Sequence, residues 1–285
     1  MDTMAQKICL VTGANAGIGK ETAQGLANRG ATVIMVCRSA ERGQAAQDEI
    51  KRTSGNEDVH LFLADLASQA AIHRLADDIS AAYGRIDVLV NNAGAFFTER
   101  NLTVDGIELT LALNHLGYFL LTMRLLPLLE ASPQGRIINV SSDAHRGARL
   151  SFDNLQFANG YSGFRAYAQS KLANILFTRE LARRMADTSL TVNALHPGFV
   201  ASNFGKNNGA ITKLMMTLLR PFARSSERGA ETSLYLATAD NVSHISGAYF
   251  ADKKMVTPSV AARDAESAAR LWAISEELTG MHVAA

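Results

Sequence analysis

The chain has 285 residues, 47% of them hydrophobic, with two cysteines and a formal net charge of +1. That length suits one α/β domain with a full-sized core over residues 1–285, and no Pro-, Gly- or Ser-rich linker divides it. The longest basic run, Arg183-Arg184, is too short for a nucleic-acid surface or a polybasic membrane patch, and Cys9 and Cys37 sit singly in apolar runs as reduced, buried residues rather than as disulfide partners or metal ligands.

In chain order, strands are predicted at Lys7–Thr12, Thr32–Cys37, Val59–Ala64, Asp87–Asn91, Arg136–Ser141, Thr191–Leu195 and Ala248–Phe250. Helical patterns fall between them near 17–29, 40–53, 68–83, 103–129, 164–186 and 226–239, with a last one near 260–278. The first strand starts so near the N-terminus that no signal peptide or anchor is expected. Leu109 to Leu129 is apolar enough to resemble a membrane span, but Asn114, His115, Arg124 and Pro127 interrupt it. It reads as a buried helix, and the expectation is a soluble, cytoplasmic protein without an integral membrane segment. Strand and helix alternate, and the strands are apolar without clean alternation. The fold class that follows is a doubly wound α/β domain of Rossmann type, with about seven parallel strands flanked by helices. Such folds bind ligands at the carboxyl ends of the strands.

The first strand runs into Thr12-Gly13-Ala14-Asn15-Ala16-Gly17-Ile18-Gly19 and then a helix. Glycines at a strand-to-helix turn let the backbone approach a pyrophosphate, whose charge rests at the helix N-terminus. Their spacing here is looser than G-x-G-x-x-G. The second strand ends Cys37-Arg38-Ser39 with no acid to hold an adenosine ribose hydroxyl, and Arg38 suits a 2′-phosphate there, which points to NADP(H). Asp65-Leu66 follows the third strand, where Asp65 is placed to accept from an adenine amino group. Asn91-Asn92-Ala93-Gly94 follows the fourth, with small residues that allow close approach of a cofactor.

Reduction of a carbonyl by a nicotinamide needs a proton donor and a group that polarises the carbonyl oxygen. Tyr167-Ala-Gln-Ser-Lys171 lies on a helical stretch, so phenol and ammonium share one face, and the lysine cation is expected to lower the phenol pKa. Tyr249 and Lys253 share that spacing but straddle a strand and its turn, and Tyr161 lies in a loop, so Tyr167 is the better candidate. Ser141-Ser142 end the fifth strand over the same crevice. Asn114 stands inside the long fourth helix, either bonded to buried backbone or holding a water that passes protons to Lys171.

With these motifs in order, residues 7–250 resemble the short-chain dehydrogenase/reductase family, and most closely its retinol-dehydrogenase-like branch. Asn139-Val-Ser-Ser142-x-Ala-His145, Asn114-His115-Leu-Gly117 and Phe152-Asp-Asn-Leu155 carry the likeness to the branch. The resemblance implies Tyr167 as general acid/base, with Lys171 lowering its pKa and holding the nicotinamide ribose. It implies Ser142, the second of the serine pair, as the carbonyl-polarising residue, and Asn114 as the holder of a relay water. It also implies that Pro197, Gly198, Val200 and Ser202 flank the nicotinamide, and that a substrate lid follows near 199–224, rich in Met and Leu. The activity it implies is hydride transfer between NADP(H) and an apolar carbonyl or alcohol. Alcohol oxidation by NADP+ at the same site is the reverse reading, and a non-catalytic dinucleotide-sensing module is the rival from another class, against which the intact set of four catalytic residues speaks. Helices 103–129 and 164–186 resemble the pair that forms the family's common dimer interface, so a homodimer is a further expectation. No metal is implied.

Overall fold

The computed structural model describes residues 4–198 and 224–282. Its strands are β1 (Ile8–Thr12), β2 (Thr32–Cys37), β3 (Val59–Leu63), β4 (Val88–Asn91), β5 (Arg136–Val140), β6 (Thr191–His196), β7 (Tyr249–Ala251) and β8 (Lys254–Met255). They form one sheet in the order β3-β2-β1-β4-β5-β6-β7-β8. The first seven run parallel, with Leu10 paired to both Ile34 and Leu89, and Val90 to Ile138. β8 is an antiparallel edge of two residues, too short for any periodicity to reveal. The turn into it holds Asp252 and Lys253 at φ 48 and 62, a conformation that residues other than glycine rarely adopt.

The helices are α1 (Gly17–Ala27), α2 (Ala40–Ser54), α3 (Gln69–Ala82), α4 (Leu109–Glu130), α5 (Gly163–Arg184), α6 (Ser226–Thr238) and α7 (Ala265–Thr279). Because side chains alternate across a strand, neighbouring positions feed different layers. Leu10, Ile34, Leu89, Ile137 and Val192 pack under α3, α4 and α5, whereas Cys9, Val11, Val33, Val90 and Ile138 pack under α1, α2 and α6. Cys9 and Cys37 are free thiols in the second layer. A buried polar ladder, Thr122–Asn91–Asn139–Thr178, ties α4 and α5 to the sheet through three 2.9 Å hydrogen bonds.

The fourth helix begins later than predicted. Residues 103–108 form a turn around Gly106, closed by a bridge between Leu102 and Glu108. The Glu108 carboxylate accepts the N–H groups of Thr110 and Leu111, each at 2.8 Å, and so caps the helix. Ala112–Leu116 then form a π turn inside α4. This helix is long and apolar enough to cross a bilayer, with mean hydropathy 1.3, yet most of it is buried inside the fold. The last predicted helix likewise starts late, after a short 3₁₀ turn over Ala261–Arg263, and is capped by Asp264. It docks on α5, where the Trp272 ring meets Phe119 at 5.1 Å and Phe177 at 6.0 Å.

Candidate active site

The carboxyl ends of β1 and β4 are fastened to each other. Thr12 Oγ1 accepts the backbone N–H of Asn92 at 2.9 Å and of Ala93 at 3.0 Å, and the Asn92 amide donates back to Thr12 O at 2.8 Å. Gly13 has φ +67, and a Cβ there would stand 3.0 Å from Ala93 Cα. A Cβ at Gly19 would strike the Asn92 amide and the Gly13 carbonyl. These two positions therefore require glycine for the turn and for close packing. α1 opens at Gly17-Ile18, after Asn15 and Ala16, with no side-chain cap and no acidic residue in its first turn. Its first N–H groups and the positive end of its dipole face the turn without a competing side chain, which fits a dinucleotide pyrophosphate.

Arg38 is exposed directly after β2 and forms no ion pair among the described residues. Ser39 beside it is occupied as the cap of α2. At the end of β3, Asp65 is half-buried and its Oδ1 accepts the N–H of Ala67 at 3.0 Å, while Leu66 is buried. Pro197 and Gly198 follow β6, with the Gly198 N–H donated to His196 Nδ1 at 3.1 Å. Val200, Ser202 and residues 199–223 of the expected lid lie outside the described residues.

Tyr167 and Lys171 lie one turn apart on α5, facing the end of β5. The Tyr167 hydroxyl hydrogen-bonds to Ser142. The two serines divide their work: Ser141 Oγ donates to Lys171 O at 2.7 Å and pins helix to strand, while Ser142 turns to the phenol. Lys171 Nζ donates to Val140 O at 3.0 Å and lies 5.7 Å from the Tyr167 ring centroid and 5.8 Å from that of Tyr118.

Asn114 projects from the π turn, a feature frequent at functional sites. Its carboxamide clamps Ala95, accepting from its N–H and donating to its O at 2.9 Å each, and donates to Ser170 Oγ at 3.0 Å. A Cβ on Gly94 would stand 3.2 Å from Asn114 Oδ1 and 3.4 Å from Lys171 Nζ, so this glycine leaves the two polar groups room. Ser170 and Thr12 stand inside the quoted motifs, but only the fold shows them as anchors for Asn114 and for the β4 end.

Burial sets the electrostatics. The Tyr167 side chain keeps some accessible surface, yet dense protein around its hydroxyl pushes the phenol up to about 12, with the Ser142 hydrogen bond pulling the other way. In the protein itself burial outweighs that hydrogen bond. Lys171 has lost its own solvation and is brought down to about 7. The phenol is therefore held protonated at neutral pH, ready to donate.

The decoy pair separates: Lys253 Nζ reaches Glu231 at 2.8 Å, and the Tyr249 hydroxyl meets His145 at 3.4 Å. Tyr161 donates its hydroxyl to Phe97 O at 3.1 Å. Among the described residues, no group of three His, Cys, Asp or Glu is placed to hold a metal ion.

The family model for short chain dehydrogenases matches residues 7–211. The chain is 42% identical to human retinol dehydrogenase 12 over 275 residues, which are 96% of this chain and 87% of the relative. Among solved structures, an uncharacterised protein of Mycobacterium paratuberculosis is similar with a TM-score of 0.81 and 37% identity, covering 100% of this chain and 97% of the other. The Pseudomonas aeruginosa RhlG/NADP active-site complex follows with a TM-score of 0.68 and 31% identity over 87% of this chain and 95% of that one.

Proposed function

Because the chain belongs to the short-chain dehydrogenase family of oxidoreductases, acting with a nicotinamide dinucleotide on a small carbonyl or alcohol, we propose that it is an NADP(H)-dependent reductase of apolar aldehydes or ketones. The single observation that carries this reading is the buried Tyr167 hydroxyl, hydrogen-bonded to Ser142 and neighboured by the Lys171 ammonium. The uncapped start of α1 and the glycine positions at its entrance fit the dinucleotide, and Arg38 supports the phosphorylated form. When bound, that cofactor supplies the hydride.

The protein's residues do the rest. Ser142 hydrogen-bonds the substrate oxygen and holds it beside the phenol. Tyr167 donates its proton to that oxygen as negative charge develops. Lys171 stabilises the phenolate left behind, a charge that its position beside the ring favours. Gly13, Asn15, Gly17, Ile18 and Gly19 would cradle the pyrophosphate, while Asp65 and Leu66 would border the adenine. Asn92, Ala93, Gly94, Pro197 and Gly198 would border the nicotinamide half. Asn114 keeps Ala95 and the end of β4 in register with Lys171. With its phenol pushed up to about 12, Tyr167 is held as a proton donor at neutral pH.

Retinol dehydrogenase relatives support an extended apolar substrate, and a retinoid-sized aldehyde falls within this reading. The reading also places the enzyme in the cytoplasm, which two free, buried thiols support. The test is loss of NADPH absorbance against a panel of aldehydes and ketones. Tyr167→Phe should lower turnover by about 10²–10⁴-fold while NADPH binding persists. Near-normal turnover in that variant would overturn the assignment.

A further inference from the structure

The π turn that displays Asn114 also displays its neighbour His115, which engages the C-terminal helix. His115 is 1% exposed, and its Nε2 lies 2.9 Å from Oγ of Ser275 on α7, itself 1% exposed. Ser275 Oγ also lies 2.7 Å from Leu271 O. The other polar neighbour of the imidazole is Asn174 on α5. Asn174 Nδ2 makes a long 3.5 Å contact with Val140 O, the carbonyl that accepts from Lys171 Nζ at 3.0 Å. A buried polar chain thus runs from Ser275 through His115 and Asn174 to the carbonyl that holds the lysine.

Two atoms of this chain, His115 Nδ1 and Asn174 Oδ1, are buried without a partner at normal hydrogen-bond length. Buried polar groups left unmade are costly, so their juxtaposition needs a reason. Ser275 donates its one proton to Leu271 O, so the imidazole donates its Nε2 proton to Ser275 Oγ and turns a bare Nδ1 towards Asn174, whose Nδ2 reaches it after a small closing movement. Burial pulls the imidazole down to about 4, so it stays neutral and joins the chain without adding charge beside Lys171.

We propose that Ser275, acting through His115 and Asn174, is a positioning residue for the proton-transfer centre, which makes the C-terminal helix part of the catalytic apparatus. The proposal rests on the reading of Tyr167 and Lys171 as the proton-transfer pair. Ser275 touches neither substrate nor cofactor. Its hydroxyl fixes His115, hence the π turn and the Asn114 clamp on Ala95 in one direction, and Asn174 and Val140 O in the other.

The experiment is Ser275→Ala in the full chain, with kcat, NADPH affinity and amide exchange followed together. One buried hydrogen bond corresponds to about a tenfold change. Turnover should fall by roughly that factor and NADPH affinity by clearly less, because the pyrophosphate cradle on β1 and α1 is untouched and only the nicotinamide end, at Lys171 and the end of β4, is loosened. The Ala95 amide, held by Asn114 Oδ1, should exchange faster while amides of β1 do not. Ser275→Thr, which keeps the hydroxyl, should recover most of the turnover. If Ser275→Ala does not fold, Ser275→Cys, of similar volume and weaker hydrogen bonding, carries the same test. Wild-type kcat together with unchanged exchange at Ala95 would overturn the proposal. So would equal losses in turnover and NADPH affinity, since that marks general loosening. A wild-type protein that reduces no carbonyl sinks the functional reading instead, and exchange at Ala95 then decides the brace alone.

Discussion

A lysine ammonium held by one carbonyl and two aromatic rings is poorly hydrated, and its charge is correspondingly easy to lose. Lys171 is brought down to about 7 by that burial, so its charged fraction falls as pH rises through neutrality. Tyr167, near 12, keeps its proton throughout. The specificity constant for carbonyl reduction reports groups of the free enzyme. It should hold steady below about pH 6, then decline towards tenfold per unit above about pH 8, as the cation that stabilises the developing phenolate disappears. Lys171→Met should remove this limb and leave a low, flat profile. A wild-type profile that is flat from about pH 6 to 9 would show that the ammonium charge is not used. The placement of these side chains was legible beforehand: Tyr167 and Lys171 lie one turn apart on α5 as their spacing predicts, and Asn114 shows by its polarity inside an apolar helix. The direction of the Tyr167 shift was not legible, because burial is a property of packing that a four-residue spacing cannot express. Nor was the division between Ser141 and Ser142 legible from the residues alone. It depends on which hydroxyl meets the backbone of α5 and which meets the phenol.

On the proposed reading, the junction of β2 with α2 is the place to test the choice of cofactor. The strand leaves Arg38 exposed where a carboxylate would repel a ribose 2′-phosphate, while Ser39 is committed to capping the helix. Charge-assisted hydrogen bonds from a guanidinium to phosphate contribute roughly 1.5–3 kcal/mol, a factor of about ten to a hundred. Arg38→Ala should weaken NADPH binding by that factor, leave NADH nearly unchanged, and lose its effect in high salt because the side chain is exposed. Equal losses for both cofactors in a titration would mean that Arg38 is only a surface charge. The strands and this junction could be read closely because alternation and turn residues are local signals. Every predicted strand lies within one residue of its observed ends. The π turn at Ala112–Leu116 could not be read. One extra residue in a helical turn leaves the apolar pattern almost intact, yet it brings Asn114 to Ala95 and Ser170 while its neighbour His115 reaches Ser275. The turn over 103–108 reads as helix in the sequence for a similar reason: Ile107 continues the apolar period, and the Glu108 cap shows only once the carboxylate folds back.

For the whole molecule, the question is what covers α4 and α5. Their sequence resembles a dimer-forming pair, but α7 lies along α5 and sets Trp272 against Phe119 and Phe177, with the Arg184 guanidinium 4.2 Å from the Trp272 ring centroid. Leu271 and Ala268 extend the contact into the cluster around Leu172, Ile175 and Leu176. Within one chain α7 thus covers this part of α4 and α5. No local pattern discloses this, because an amphipathic terminal helix looks the same whether it docks on its own chain or on a partner. Three outcomes follow from the packing. The full chain should sediment with the mass of one protomer at micromolar concentration, since the aromatic residues that would drive association are already buried. Trp272→Ala should remove about 3–5 kcal/mol of stability, as expected for truncating a large aromatic side chain in a core. At about 2–4 °C per kcal/mol for a chain of this size, the melting temperature should drop by roughly 6–20 °C. The same variant uncovers Phe119 and Phe177 and should self-associate as its concentration is raised. A wild-type dimer that dissociates when Phe177 is replaced by a polar residue, combined with a Trp272→Ala protein of unchanged melting temperature, would show that α7 does not cover this face in solution and that the helix pair is an interface between copies.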